Sequence, residues 1–534
     1  MLPRIIKSAI LYFFACLILC SCNKTIESLQ DNTNQAKTVD PNLLLGTVLT
    51  AISGTGTYGE LGGIASWGSV QKYNQYFLGA YAYYGDNQYT WANASFDSYL
   101  VIKNVLQMEK EAKRIGQPDI NAYEAIGKFV KAYYFYNQTS MNGDIPLSAA
   151  LSDTLLTPGY DSQKGVFKYV LNVLDTANTH LATLVARKDA TISGSVQDIY
   201  YKGDLAQWQK AVNAFKLRVL VSLSKKSSDA DLNVPGQFAK MMASPSVYPV
   251  FDSSNSLSFV YVPTYNQYPL NVVNFGSTAS RYAMAQTYVK TLTDLKDPRV
   301  YVNCEPAWGI VASQQLNPLD FRAFIGESTG ASIATIEQEA SARVISFINR
   351  KRFYNTYVGV PDVLVGYPEM CFNIAEAINR GWVSGDAESW YKKGMVSSFA
   401  FNGIDVSQTS FNAYFLPSGG LDSIRQYSFS FDFNAYYSQS AVKYAPGQDG
   451  LNRILTQKYI AMFQNSGWEG YFNYRRTGVP AFRSGTGIGN NGAIPQRWGY
   501  PQTEQNQNAA NWKAALANQG FATDDINGKI WLVQ

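Results

Sequence analysis

Apolar positions in this chain recur mostly at helical spacing. Leu205, Trp208, Val212, Phe215 and Val219 follow at intervals of three and four, one face of a helix, with Asp204 before them as an N-cap. Phe96 to Arg114 is amphipathic in the same way and is closed by Gly116 and Pro118. Tyr123, Ile126, Val130, Tyr133 and Asn137 mark a further helix that ends at Asn142-Gly143. Val166, Val170, Leu174, Ala177, Leu181 and Leu184 form the spine of another. Asp40-Pro41 reads as a cap and first-turn proline ahead of an apolar run from Leu43 to Ile52. Residues 369–401 add a pair, with Phe372, Ala375 and Ile378 on the first helix, a turn at Gly381, and Ala387, Trp390 and Tyr391 opening the second.

Helical pairs of this length predict a mostly α fold, a tetratricopeptide-like stack. The two helical sets, about 41–226 and 367–534, are separated by residues 227–366, which are richer in Pro, Ser and Asn. That stretch reads as a long, largely irregular insert within a single domain, 41–534, and as a place for a ligand surface. Tyr73, Tyr76 and Phe77 also sit at helical spacing and read as core.

The N-terminus has a different pattern. Arg4 and Lys7 precede an apolar run from Ala9 to Leu19, and small Ser21 stands before Cys22. The run has the length of a secretory signal and is too short to span a bilayer. Leu19-Cys20-Ser21-Cys22 resembles a bacterial lipobox, so residues 1–21 are expected to be a lipoprotein signal peptide and Cys22 the lipidated residue. Residues 22–40 then form a flexible tether, at most about 60 Å long when extended.

Composition narrows the chemistry. Charged residues make up 16% and aromatics 14%, with 37 tyrosines and a net charge of +4, which gives no reason to propose nucleic acid as a partner. Once the signal and Cys22 are set aside, only Cys304 and Cys371 remain to pair, and with one histidine they exclude the usual zinc arrangements. His180 lies at the edge of its helix and reads as solvated or capping. No Gly-x-Ser-x-Gly elbow is present, so no catalytic residue, metal or cofactor is assigned. Paired carboxylates of a glycoside hydrolase are the catalytic alternative.

The stretch from Tyr81 to Trp91 mixes aromatics with glycine and small polar residues, as a loop does. Aromatic faces stack on sugar rings while Asp and Asn bind hydroxyls. The candidate ligand-binding residues are therefore Trp67, Tyr81, Tyr83, Tyr84, Asp86, Asn87, Tyr89 and Trp91, with Tyr265, Tyr268 and Trp308 from the insert. The alternative, that these aromatics fold back on the body, stays open.

Several stretches, in order, resemble the SusD/RagB family of outer-membrane nutrient-binding lipoproteins. These are Asn142-Gly143-Asp144-Ile145-Pro146, then Gly203-Asp204 with Trp208, Lys210, Asn213, Leu217 and Arg218, then Asp297-Pro298-Arg299 and Glu369 to Gly381. Near the end come Gln457-Lys458-Tyr459, Gly467-Trp468-Glu469, Tyr474 to Pro480, Ile494 to Arg497, Tyr500-Pro501 and Trp531. The resemblance implies a non-catalytic protein that captures an oligosaccharide, or alternatively a peptide, and passes it to a SusC-like TonB-dependent barrel transporter. It also implies an outer-membrane location, lipid-anchored and facing the exterior. The motif residues would be structural, with Arg475 and Arg476 bound to carbonyls or carboxylates of neighbouring helices. One departure is the tether, where Asn23-Lys24-Thr25-Ile26 stand in place of the acidic residues that often follow the family's lipidated cysteine.

Overall fold

The computed structural model describes residues 38–53, 69–93, 95–152, 154–264 and 267–534. The expected signal peptide, Cys22 and most of the tether lie outside them. Five long helices dominate the first part of the described chain: α1 (Pro41–Ser53), α2 (Ser98–Arg114), α3 (Ala122–Asn142), α4 (Gln163–Ala186) and α5 (Leu205–Ser222), with a short helix, Ser69–Tyr73, between the first two. Each packs on the next, which is the tetratricopeptide-like stack the periodicity predicts. Side-chain caps start them. Asn121 Oδ1 accepts from Glu124 N at 3.0 Å, Ser162 Oγ from Gly165 N at 3.2 Å, and Asp204 Oδ1 from Ala206 N at 3.0 Å. Each bond satisfies an amide that the first turn leaves without an intrahelical partner. Gly203 has to be glycine: its φ is +83°, and a Cβ there would meet Ile192 O at 1.8 Å.

The insert is more ordered than its composition suggests. It holds helices Val234–Ala243, Gln286–Asp294 and Trp308–Gln314, and α6 (Ile333–Ser341). Four short strands, β1 (Phe77–Gly79), β2 (Leu257–Phe259), β3 (Tyr282–Met284) and β4 (Asp362–Val365), form two antiparallel ribbons, β1 with β3 and β2 with β4. Elements this short leave no periodicity to read. The helical reading of Tyr73, Tyr76 and Phe77 also needs correcting. The helix ends at Tyr73, Gln75 turns the chain at φ +59°, and Phe77 begins β1. The Gln75 amide holds that turn: its Oε1 accepts from Arg483 N at 2.7 Å and Thr287 Oγ1 at 2.6 Å, and its Nε2 donates to Arg483 O at 2.8 Å.

The second helical set comprises α7 (Tyr367–Asn379), α8 (Ala387–Phe401), α9 (Gly447–Ala461) and α10 (Glu469–Thr477), joined to the first by packing of α5 on α7. A hairpin of β5 (Ser410–Phe415) and β6 (Arg425–Ser430) interrupts it.

Buried charge ties the two sets together. Arg218 of α5 donates to Glu369 of α7 at 2.7 and 2.6 Å, and to Leu364 O at 2.5 Å. Arg476 of α10 donates to Glu376 Oε2 at 2.9 Å. Burial opposes ionisation of Glu376, but the Arg476 guanidinium outweighs it and the carboxyl is pushed down to about 2. Arg475 donates to Ser140 O at 2.6 Å and Gln496 O at 2.8 Å. Arg299, fully buried, forks onto Asp297 at 2.9 and 2.6 Å.

Candidate ligand-binding surface

The candidate surface begins where β1 leaves the Gln75 turn. Ala80 N donates to Arg281 O at 2.9 Å, and a short 3₁₀ turn, Ala82–Tyr84, follows. Asn87 closes the loop. Gly79 N donates to its Oδ1 at 2.8 Å, and its Nδ2 donates to Gly79 O at 3.1 Å. Asp86 adds a second brace: its Oδ1 accepts from Gln88 N at 2.9 Å, and its carbonyl takes Lys72 Nζ at 2.6 Å. Burial pulls the Lys72 ammonium below its usual range against the pull of Asp86. Behind the turn lies α6, with Leu78, Ala80, Ala283, Ile336 and Ala340 in a small apolar cluster.

This frame presents two aromatic rings to solvent. Tyr83 is 80% exposed and Tyr81 45%, with ring centroids 6.2 Å apart and planes inclined at 32°. Ala340 of α6 also lines a cleft of about 430 Å³, together with Phe275, Trp308, Arg343 and Phe347. Its floor is ordered by Glu305, whose two oxygens accept from Arg350 N at 2.8 Å and Leu416 N at 2.9 Å. The Arg350 guanidinium lies 4.8 Å from the centroid of the Phe347 ring. Tyr81, Tyr83 and Trp308 thus stand around one helix, two on its turn and one in its cleft.

Other expected residues are elsewhere. Asn87 is 1% exposed and braces the turn from inside. Tyr89 and Trp91 are interior: Trp91 stacks on Trp498 at 3.8 Å and 9°, meets Trp468 edge-on at 5.5 Å, and packs on Tyr89 at 4.9 Å. Tyr268 is buried edge-to-face against Tyr261 at 5.1 Å. These four side chains are covered by protein and leave the candidate surface. Trp67 and Tyr265 lie outside the described residues, as does the side chain of Tyr84. Phe275, Arg343 and Phe347 were not expected. Phe275 opens a four-residue helix, Arg343 follows α6 and Phe347 sits in an isolated bridge, so no periodic pattern marks them.

His180, Cys304 and Cys371 are held within the fold. His180 Nδ1 lies 2.7 Å from Glu124 Oε2 on the neighbouring helix. Cys304 and Cys371 are both buried and unpaired, and burial raises both thiols. Among the described residues, no group of three or more His, Cys, Asp or Glu could hold a metal ion, and no helix is long and apolar enough to cross a membrane.

A family model described as SusD-like, starch-binding and associating with the outer membrane, matches residues 34–501. The chain belongs to the SusD-like family. Its architecture agrees. A SusD homolog from Bacteroides fragilis superposes with a TM-score of 0.76 at 26% identity, covering 93% of this chain and 100% of that one. An outer-membrane protein from Bacteroides vulgatus, ascribed to nutrient binding, gives 0.74 at 28% identity over the same shares. A chitin-binding SusD homolog from Flavobacterium johnsoniae gives 0.66 at 21% identity, covering 92% and 97%, which shows a shared fold. No curated protein sequence matches. The buried arginines and carboxylates of this SusD-like chain, Arg218 with Glu369, Arg476 with Glu376 and Arg299 with Asp297, are paired with one another inside its scaffold. Its exposed tyrosines are what the scaffold presents.

Proposed function

We propose that this SusD-like protein is a non-catalytic, lipid-anchored receptor of the outer membrane. It captures an oligosaccharide on the tyrosine turn and the adjoining cleft, and passes it to a SusC-like TonB-dependent transporter. The observation that carries this reading is the pair of exposed rings, Tyr81 and Tyr83, on a turn braced by Asn87 and α6. Exposed aromatics held in a fixed frame suit the flat apolar faces of sugar rings, and the polar groups of the cleft suit hydroxyls. Family membership supports the outer-membrane location and binding in place of catalysis. The chitin-binding relative makes β-linked amino-sugar oligomers a first class to try.

The test is a glycan array on the full-length protein in a detergent without a sugar headgroup, followed by titration of the best oligosaccharide. Tyr83→Ala should weaken that binding by about tenfold or more, the loss expected when an aromatic anchor is truncated, and leave the melting temperature unchanged. Normal binding with a lowered melting temperature would show that Tyr83 serves the fold.

A further inference from the structure

A second cleft, of about 270 Å³, opens between the insert and the second helical set and shares no lining residue with the tyrosine-side cleft. Boundaries between structural units are where small-molecule sites are most often built, and this volume suits a ligand at the small end of the usual range. Its walls are rich in serine, and their hydroxyls are divided in role. Ser256 Oγ accepts from Tyr367 N at 3.0 Å and Ser398 Oγ from Arg299 Nη1 at 2.8 Å, so both keep a proton to give. Ser254 Oγ donates to Asp252 at 2.6 Å and Ser466 Oγ to Glu369 at 2.8 Å, so both keep lone pairs to accept. The Glu369 charge is met by Arg218, that of Asp252 by Lys210 and that of Asp297, behind Ser398, by Arg299, so these charges are matched. A wall that both gives and takes hydrogen bonds, without net charge, complements neutral hydroxyl groups.

An independent observation points the same way. Asn465 lines this cleft and is 6% exposed, yet its Oδ1 has no hydrogen-bond partner among the described residues. A buried acceptor left unpaired costs about 1–3 kcal/mol, so a donor that reached Oδ1, which the wall closes to solvent, would be favoured there. Behind Asn465, Phe401 and Ala461 lies a cavity of about 10 Å³, where Gln464 Nε2 and Oε1 and Asn303 Oδ1 are also unpaired. That space holds about one water-sized group. Phe401 and Met462 supply apolar contacts beside the serines.

We propose that the serine-lined cleft at Asn465 is a second binding site, for a neutral polyhydroxylated small molecule of monosaccharide size. The site stands on its own residues and does not depend on the tyrosine turn.

Saturation-transfer NMR and calorimetric titration of the full-length protein, in a detergent without a sugar headgroup, test it with D-glucose, N-acetyl-D-glucosamine and, as a charged control, D-glucuronate. At least one neutral sugar should bind and glucuronate should not. Ala400→Trp fills the cleft from an exposed position on α8, and Asn465→Leu removes the unpaired acceptor. Each should weaken binding about tenfold, while Tyr83→Ala leaves it unchanged. Should Asn465→Leu fail to fold, Ala400→Trp decides alone. Failure of both neutral sugars to bind, equal binding of glucuronate, or binding that survives Ala400→Trp would overturn the proposal. Binding lost in Tyr83→Ala and kept in Ala400→Trp would assign the sugar to the tyrosine turn instead.

Discussion

Replacing Arg218 with methionine asks how much of the fold rests on one buried cation. Arg218 is 2% exposed and bridges α5 to α7 through Glu369, itself 2% exposed, while Glu469 lies 4.0 Å from its Nε. The variant leaves two buried carboxylates without a guanidinium; Lys458 attracts both through space but is itself held by Asn373 at 2.7 Å and Asn473 at 3.0 Å. Removing one member of a buried pair costs about 3–5 kcal/mol, chiefly because the other charge remains. With an unfolding entropy of about 2.1 cal/mol/K per residue, a chain of 534 residues loses roughly 1 °C of melting temperature per kcal/mol. The expected fall is therefore about 3–5 °C at pH 7.

The pH dependence gives the sharper test. Burial alone would raise the Glu369 carboxyl, but Arg218 outweighs it and holds the group below its usual 4.5. A carboxylate whose folded value is depressed contributes stability above its unfolded value, and that contribution is lost as pH falls through the folded one. The variant lacks this contribution: burial then favours protonation of Glu369, and Glu469, already raised by burial in the wild type, loses the opposing pull of Arg218. The gap between wild type and Arg218→Met, read by calorimetry from pH 7 downwards, should thus begin to narrow as the variant's raised carboxylates protonate above 4.5 and go on narrowing below 4.5, where the wild type loses the Glu369 contribution. The double variant Arg218→Met/Glu369→Leu should recover part of the loss. A gap that stays constant with pH, or a double variant that simply adds two losses, would refute the ion-pair account.

Three further outcomes follow from single residues. Asn87→Ala removes both bonds to Gly79, so amide exchange over residues 79–89 should accelerate and oligosaccharide affinity should fall, with little change in melting temperature. Burial lifts the Asp144 carboxyl to about 6, so its favourable contribution is present below 3.8 and is lost as pH rises through about 6. Asp144→Asn, which keeps an acceptor for Gln163 N, should raise the melting temperature at pH 7 and flatten its pH dependence between those values. Cys22→Ser should abolish metabolic labelling by fatty acid and release the protein from the membrane fraction, while retained labelling would move the anchor elsewhere.

The helices were legible because their signals are local. Asp204 caps where the pattern places a cap, and Gly116 and Pro118 close α2 where they should. Ser410–Phe415 and Arg425–Ser430 also carry a local signal, the alternation of Phe411, Ala413 and Phe415 against Tyr427 and Phe429. It lies inside a region dominated by helical pairs, whose longer pattern masks it. The insert's strands have no such signal, because three or four residues are too few to establish a period.

The aromatic stretch shows where local reading fails for a physical reason. Tyr81 and Tyr83 point to solvent, while Tyr89 and Trp91, a few residues on, are interior. Nothing in the segment distinguishes them, since what buries Trp91 is Trp468, Tyr471 and Trp498 near the other end of the chain. The same packing gives the exposed pair its meaning. Tyr89 and Trp91 fasten one end of the loop to the core, Asn87 fastens the middle to β1, and β1 is fastened to the insert through β3. Two rings that stay exposed on a segment so tightly held lose little conformational freedom when a ligand arrives. Tyr89 and Trp91, expected at the ligand surface, thus act on the proposed surface indirectly, by keeping Tyr81 and Tyr83 in place.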